Sequence, residues 1–127
     1  MKISKETYNK LVNNSITVKE SKYKNKKVYY DGYWFDSEKE KNWYIKYKFL
    51  EDIGEIFDLE LQKEFVLIET FKLNDKTYRK MSYIADFVYL DKLGNQHVID
   101  VKGYKTKEYL LKKKLMAWKY GIQIEEV

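Results

Sequence analysis

Two runs decide how this chain folds: MSYIADFVYL over residues 81–90 and QHVIDV over residues 96–101, separated by Asp91-Lys92-Leu93-Gly94-Asn95. Both are rich in β-branched and aromatic residues, and the Asp, Gly and Asn between them suit a turn, so an antiparallel hairpin is predicted. Side chains alternate along a strand, which brings Asp100 and Lys102 out on one face and sends Val101 to the other. Asp86 stands inside the apolar first strand, where an unpaired carboxylate is costly. It needs a partner, and a cation serves.

Working outward, residues 28–35 are two short β-prone runs around Asp31-Gly32, a strong hairpin signal. Ser37 then caps a helix over residues 38–52, with Glu40 at its third position and Gly54 as its stop. Trp43, Tyr44 and Tyr47 share a stripe with Glu40, so that carboxylate is expected to face inward. Residues 56–61 and 65–71 read as separate extended segments, with Gln62 and Lys63 between them as possible site-lining residues, and Asn74-Asp75 as a turn. Downstream, Gly103 ends the hairpin's second strand. Thr106 caps a helix over residues 107–120, whose expected apolar stripe is Leu111, Leu115 and Trp118, and Gly121 stops it before a last strand over residues 122–127. Near the start, Ser4 is placed to cap a short helix to Val12, and residues 1–27 read as a basic, mobile arm ahead of a folded domain over 28–127. The order of helices and strands predicts an α+β (α/β-like) fold, a mixed central sheet with an acidic hairpin, flanked by two main helices.

Composition bounds the chemistry. With 127 residues, one compact domain is expected. An apolar content of 44% with 17% aromatic excludes a disordered chain. There is no cysteine, which excludes a disulfide scaffold, a thiolate metal site and a cysteine nucleophile. Any metal must be held by oxygen or by the single His97, for which a plain surface position is expected. No long apolar stretch and no signal core are present, so a soluble, intracellular protein with no membrane partner is expected. The net charge of +5 hides a segregation: residues 1–30 and 102–119 each carry +6, whereas residues 31–101 carry −5. One reading is a solvated surface; the other is polyanion binding around a carboxylate metal site. Lys26, Lys27, Lys105, Lys107, Lys112, Lys113 and Lys119 are the candidate phosphate contacts, with solubilising surface lysines as the alternative. Tyr23, Tyr29, Tyr30, Tyr33 and Trp34 lie among lysines and have the chemistry to stack on bases, but packing on the core is the expectation for hairpin aromatics.

Glu40, Asp86 and Asp100 are candidate metal ligands, and with Lys102 they form the candidate catalytic set. Oxygen-only ligation suits Mg²⁺ or Mn²⁺, which leave coordination positions to water and phosphate. Lys102 beside such a metal is placed to orient a water or stabilise developing charge. Ordinary alternatives stand beside each: Glu40 completing a capping box with Ser37, and Asp100 with Lys102 as a same-face ion pair.

Phe35-x-Ser37-x-x-Glu40, Tyr83-Ile84-Ala85-Asp86-Phe87 and Asp100-Val101-Lys102-Gly103, in this order, resemble the PD-(D/E)XK nuclease superfamily. More narrowly, residues 22–127 resemble a phage-encoded endonuclease family with likenesses to Holliday junction resolvases and to a transposon end-cleaving nuclease. In that superfamily two acids and a lysine lie on a hairpin and a helix adds a Glu, which by match are Asp86, Asp100, Lys102 and Glu40. Ala85 replaces the proline of the superfamily's name, and Asp at position 100 is within the pattern. The resemblance implies a restriction-endonuclease-like core and Mg²⁺-dependent DNA hydrolysis. It further implies branched DNA as substrate, a homodimer, no small-molecule cofactor, and action in the cytoplasm of a bacterial host from a phage or prophage gene. The alternatives are a nuclease or nickase acting on linear duplex or ends, and a non-catalytic basic DNA-binding module accessory to recombination.

Overall fold

The computed structural model describes residues 26–102 and 105–127. The expected helix after Ser4, the arm through residue 25 with Tyr23, and the strand stop at Gly103 lie outside the described residues. Val28–Tyr30 (β1) pairs antiparallel with Tyr33–Phe35 (β2) across Asp31 and Gly32, at φ 52° and 82°. Two successive positive φ angles make the type I′ turn that matches strand twist, and Asp-Gly tolerates it. Ser37 Oγ then accepts the Glu40 N–H at 3.1 Å, opening the helix Glu38–Asp52 (α1), and Gly54 at φ 80° follows its end.

Contacts divide the chain into two units, Met1–Ile45 and Lys46–Val127, with the boundary inside α1. In the first, Phe35 and Tyr44 are buried, and the Tyr44 ring lies 5.2–6.3 Å from the rings of Phe35, Tyr33 and Tyr30. The Tyr44 hydroxyl donates to Asp31 in the turn, so the hairpin is tied to the helix that follows it. Tyr29, Tyr30 and Tyr33 are exposed: Tyr29 pairs with Trp34 on the face away from Phe35, while Tyr30 and Tyr33 share the Phe35 face at the end next to the turn, where Tyr44 covers them only in part. The expectation that these hairpin aromatics pack on the core fails for all three, and Trp34 is half-buried, its ring 5.0 Å from that of Tyr29.

The second unit holds the main sheet, built from Phe57–Ile68 (β3), Met81–Leu90 (β6), Gln96–Asp100 (β7) and Glu125–Glu126 (β8) in the order β3-β6-β7-β8. The first three pair antiparallel and β8 is parallel to β7, so the sheet is mixed and the fold is α+β. Phe71–Leu73 (β4) and Lys76–Tyr78 (β5) form a separate ribbon between β3 and β6. The helix Lys107–Tyr120 (α2) starts with the Thr106 side chain accepting the Tyr109 N–H and ends at Gly121, whose φ of 64° is the left-handed C-terminal cap.

Three expectations are corrected. The extended segments expected over 56–61 and 65–71 are joined through residue 68 in one strand, β3, because Gln62 takes a φ of 54° without ending the pairing with β6, and Phe71 instead opens β4. The last strand is shorter than residues 122–127: Glu125–Glu126 alone pair with β7, while Ile122 packs against the core and Ile124 lies in it. The stripe on α2 is also rotated: Trp118 is 79% and Leu111 48% exposed, while Met116 is buried and Tyr109, Lys112, Lys113 and Leu115 are partly covered. The Tyr109 ring and the Lys113 stem are partly covered while their polar ends both reach Glu126 at the sheet edge, which an all-apolar stripe does not offer.

The core between α2 and the sheet contains Phe65, Leu67, Tyr83, Ala85, Val88, Val98, Met116 and Ile124. Phe87 and Tyr89 instead pack on Tyr47 of α1, with ring centroids 5.3 and 5.2 Å away. Strict alternation would put Ala85 and Phe87 on one face. The alternation therefore slips by one residue at Asp86, directly across from Gln62.

Candidate functional site

The slip at Asp86 is what shapes the site. Phe87 faces Ile99 in the β6–β7 ladder, so one step further along the register sets Asp86 opposite Asp100, and Asp100 is in turn opposite Glu126 of β8. Three carboxylate-bearing residues thus lie at one level across three strands. Beyond Asp100 the β6–β7 ladder stops, and the Asp86 carboxylate takes the place of a strand carbonyl, accepting the Val101 N–H at 2.7 Å. On the other side, Lys102 N–H donates to the Val127 carbonyl and Val127 N–H to the Asp100 carbonyl, both at 3.0 Å. The backbone of residues 100–102 is pinned from both flanks.

Asp100 is buried, and each of its oxygens has a partner: Oδ2 accepts the Tyr83 hydroxyl at 2.6 Å and Oδ1 pairs with Lys102 Nζ at 2.8 Å. Lys102 Nζ also lies 3.4 Å from the centre of the Tyr109 ring, a cation over a π face. The Tyr109 hydroxyl donates to Glu126, which further pairs with Lys105 at 2.9 Å and Lys113 at 3.2 Å. Burial, then the hydrogen bond to Asp100 and its charge, push the Tyr83 phenol far above its ordinary value. Tyr109 is raised likewise by burial and by its bond to Glu126, with smaller contributions from the charges of Asp100 and Asp86. Both phenols therefore stay protonated as donors that fix carboxylates. Glu126 is held down to about 2, first by the Tyr109 hydrogen bond and then by Lys105.

Asp86, Asp100 and Lys102, predicted from sequence, are brought together by the β6–β7 hairpin. Glu40 belongs to the first unit, where it is buried on the first turn of α1 at 5% exposure. Sequence reasoning missed Tyr83, Tyr109 and Glu126. Tyr83 stood out only as part of the run around Asp86 and Tyr109 carried no signal of its own, and the signal for Glu126 was only its position in a strand able to pair with β7. Among the described residues, no three His, Cys, Asp or Glu side chains gather as a metal site. Within this unit Asp86 and Asp100 offer hard carboxylate oxygens on adjacent strands. That donor set fits Mg²⁺ or Mn²⁺, which take one or two carboxylates and fill the remaining positions with water and phosphate.

The candidate phosphate contacts divide by surroundings. Lys26, Lys27 and Lys107 are exposed, Lys27 Nζ lying 4.0 Å from Asp36. Lys112 pairs with Glu108 on its own helix at 3.1 Å, and Lys105 and Lys113 rim the site through Glu126. Lys119 donates to the Val66 and Leu67 carbonyls at 3.0 and 3.3 Å, closing the edge of β3 against α2. His97 is more than a plain surface residue. Its ring stacks on Tyr89 and bridges Asp91 at 2.8 Å and Glu125 at 2.6 Å, joining the hairpin turn to β8. The hydrogen bond to Asp91, then that to Glu125, outweigh burial and raise its pKa.

Among the described residues, no helix is long and apolar enough to cross a membrane. No curated protein and no solved structure matches the chain. A family model does match, over residues 20–125, which takes in α1, the hairpin with Asp86, Asp100 and Lys102, and α2. The chain belongs to that family, described as a protein of unknown function, DUF1064.

Proposed function

We propose that this protein is a metal-dependent DNA endonuclease that hydrolyses phosphodiester bonds. We assign it to the PD-(D/E)XK type, resembling a phage resolvase, acting on branched DNA as a homodimer in the cytoplasm of a bacterial host. The observation that carries the reading is the meeting of Asp86, Asp100 and Lys102 where the β6–β7 ladder ends. Asp86 and Asp100 would hold the cation. When bound, Mg²⁺ or Mn²⁺ supplies Lewis-acid polarisation of the scissile phosphate and a more acidic water. The Lys102 ammonium moves from Asp100 toward the phosphate, where it orients the attacking water and stabilises charge as the P–O bond to the leaving oxygen breaks. Tyr83 keeps Asp100 oriented meanwhile, and the Tyr109 ring supports Lys102. One such centre cuts one strand, which is why a symmetric pair suits a junction.

A second reading has one observation in its favour: both oxygens of Asp100 are already satisfied, by Tyr83 and Lys102, as in a purely structural pair. On that reading the chain is a basic DNA-binding accessory module. Incubating the pure protein with a four-way junction, a flap, a nicked duplex and a linear duplex, in Mg²⁺ and in EDTA, separates the possibilities. Junction cleavage that needs Mg²⁺ supports the proposal. Equal cleavage of junction and linear DNA at every salt concentration replaces it with a general nuclease or nickase, and binding without cleavage leaves the accessory module.

A further inference from the structure

The ribbon of β4 and β5 is exposed at every position from Phe71 to Lys80. Its register pairs Phe71 with Tyr78 and Leu73 with Lys76, which puts these four side chains on one face and Lys72 with Thr77 on the other. The Phe71 and Tyr78 rings stack with centroids 4.9 Å apart and planes within 9°, yet the residues remain 47% and 39% exposed, and Leu73 is 58% exposed. Three-residue strands have no core of their own, and an apolar face left in water opposes folding. The charge around it indicates what covers it. Lys76 shares this face with its Nζ 5.1 Å over the Tyr78 ring, Lys72 lies on the reverse face, Arg79 follows β5, and Lys80 pairs with Glu64 of β3 at 3.1 Å, with Asp75 the one acid in residues 71–80. Arg79 is the only arginine in the chain, and a guanidinium grips phosphate in two directions where an ammonium acts as a point charge. Aromatic rings among cations form a stacking platform for unpaired bases, whereas an apolar protein partner would not call for this charge.

Position supports the same occupant. The ribbon springs from the Met81 end of β6, where Ile68 pairs with Met81. Residues 81–85 of β6 extend past the end of β7, so the ribbon leaves the sheet at the end where Asp100 and Lys102 do. From Asp86 to the base of the ribbon is five residues of strand, about 17 Å. That is roughly five base-pair steps of duplex. We propose that the β4–β5 ribbon is a DNA-contacting arm, whose Phe71–Tyr78 face stacks on bases left unpaired at a branch point while Lys72 and Arg79 hold the flanking phosphates. This deepens the endonuclease reading by naming what selects branched DNA, and it rests on DNA being the substrate.

The test uses the full chain in EDTA, so that binding is read without cleavage. A four-way junction with 2-aminopurine at the branch point is compared with a linear duplex of equal length, by anisotropy and by base fluorescence. The Phe71→Ala/Tyr78→Ala double variant is expected to lose about 10-fold or more in junction affinity, together with the stacking quench, and to keep its duplex affinity. Tyr78→Phe, which keeps the ring, is expected to keep both. Lys72→Gln/Arg79→Gln is expected to weaken both DNAs and to flatten the salt dependence. The proposal is overturned if the double variant binds and quenches like the wild type. It is equally overturned if the double variant turns a dimer into a monomer and weakens junction and duplex alike, since the face then belongs to a second copy. Wild-type quenching at the junction with no cleavage after Mg²⁺ is added supports the arm and rejects the nuclease.

Discussion

Replacing Glu126 with Gln keeps the side chain's length and an acceptor for the Tyr109 hydroxyl, and removes the negative charge shared by Lys105 and Lys113. In the folded chain this carboxyl titrates at about 2 where 4.5 is ordinary, chiefly because Tyr109 donates to it and then because of Lys105. A displacement of that size corresponds to ~3 kcal/mol of stability at neutral pH if nothing screens it. The two lysines keep 49% and 38% of their side-chain surface in water, however. Screening reduces the expected loss on Glu126→Gln to ~1–2 kcal/mol. Because the folded value lies below the unfolded one, the contribution is complete above the ordinary carboxyl range and disappears as the pH falls toward the folded value. Urea unfolding of both proteins, at steps from pH 7 down to pH 3, measures it. The wild type should be more stable by that amount at pH 7, with the gap narrowing through the acid steps. A gap that stays constant down to pH 3, or no gap at pH 7, refutes the linkage.

Lys102→Ala and Asp86→Asn are each expected to lower DNA cleavage by at least ~100-fold with DNA binding intact. Asn retains an acceptor for the Val101 N–H and Ala leaves Asp100 bonded to Tyr83, so near wild-type cutting by either variant rejects the assignment. In titration calorimetry, Asp100→Asn should weaken Mg²⁺ or Mn²⁺ binding, and unchanged affinity would move the metal elsewhere. Glu40→Gln should lose activity and little stability, since Ser37 still caps the helix through the backbone N–H; an unstable but active variant would favour a capping role alone. His97 has a raised pKa, so its contribution is present below its ordinary range and lost as the pH rises through the folded value. The stability gap between wild type and His97→Gln should therefore be larger at pH 6 than at pH 9, and an equal gap would exclude the charged bridge to Asp91 and Glu125.

Local signals carried most of the chain's element order, because they act over a few residues and need no partner. Asp31-Gly32 takes the positive φ pair of its turn, and Ser37 and Thr106 cap the helices they precede. The same locality made Asp86, Asp100 and Lys102 legible as a group, since hairpin pairing and strand alternation follow from spacing alone. What lay beyond reach depends on contacts between distant segments. The rotation of α2 was misread from Leu111 and Trp118, because apolar spacing does not register that Tyr109 and Lys113 find Glu126 at the sheet edge. The place of Glu126 beside Asp100 required the parallel pairing of β8, and a two-residue strand carries almost no periodicity. The slip at Asp86, which lets its carboxylate reach Val101, depends on Gln62 of another strand adopting a positive φ opposite it. Sequence by itself determined which residues could carry the chemistry. The tertiary structure decided how they are held, because the phenols, ion pairs and strand ends that fix them come from segments with no local signal for one another.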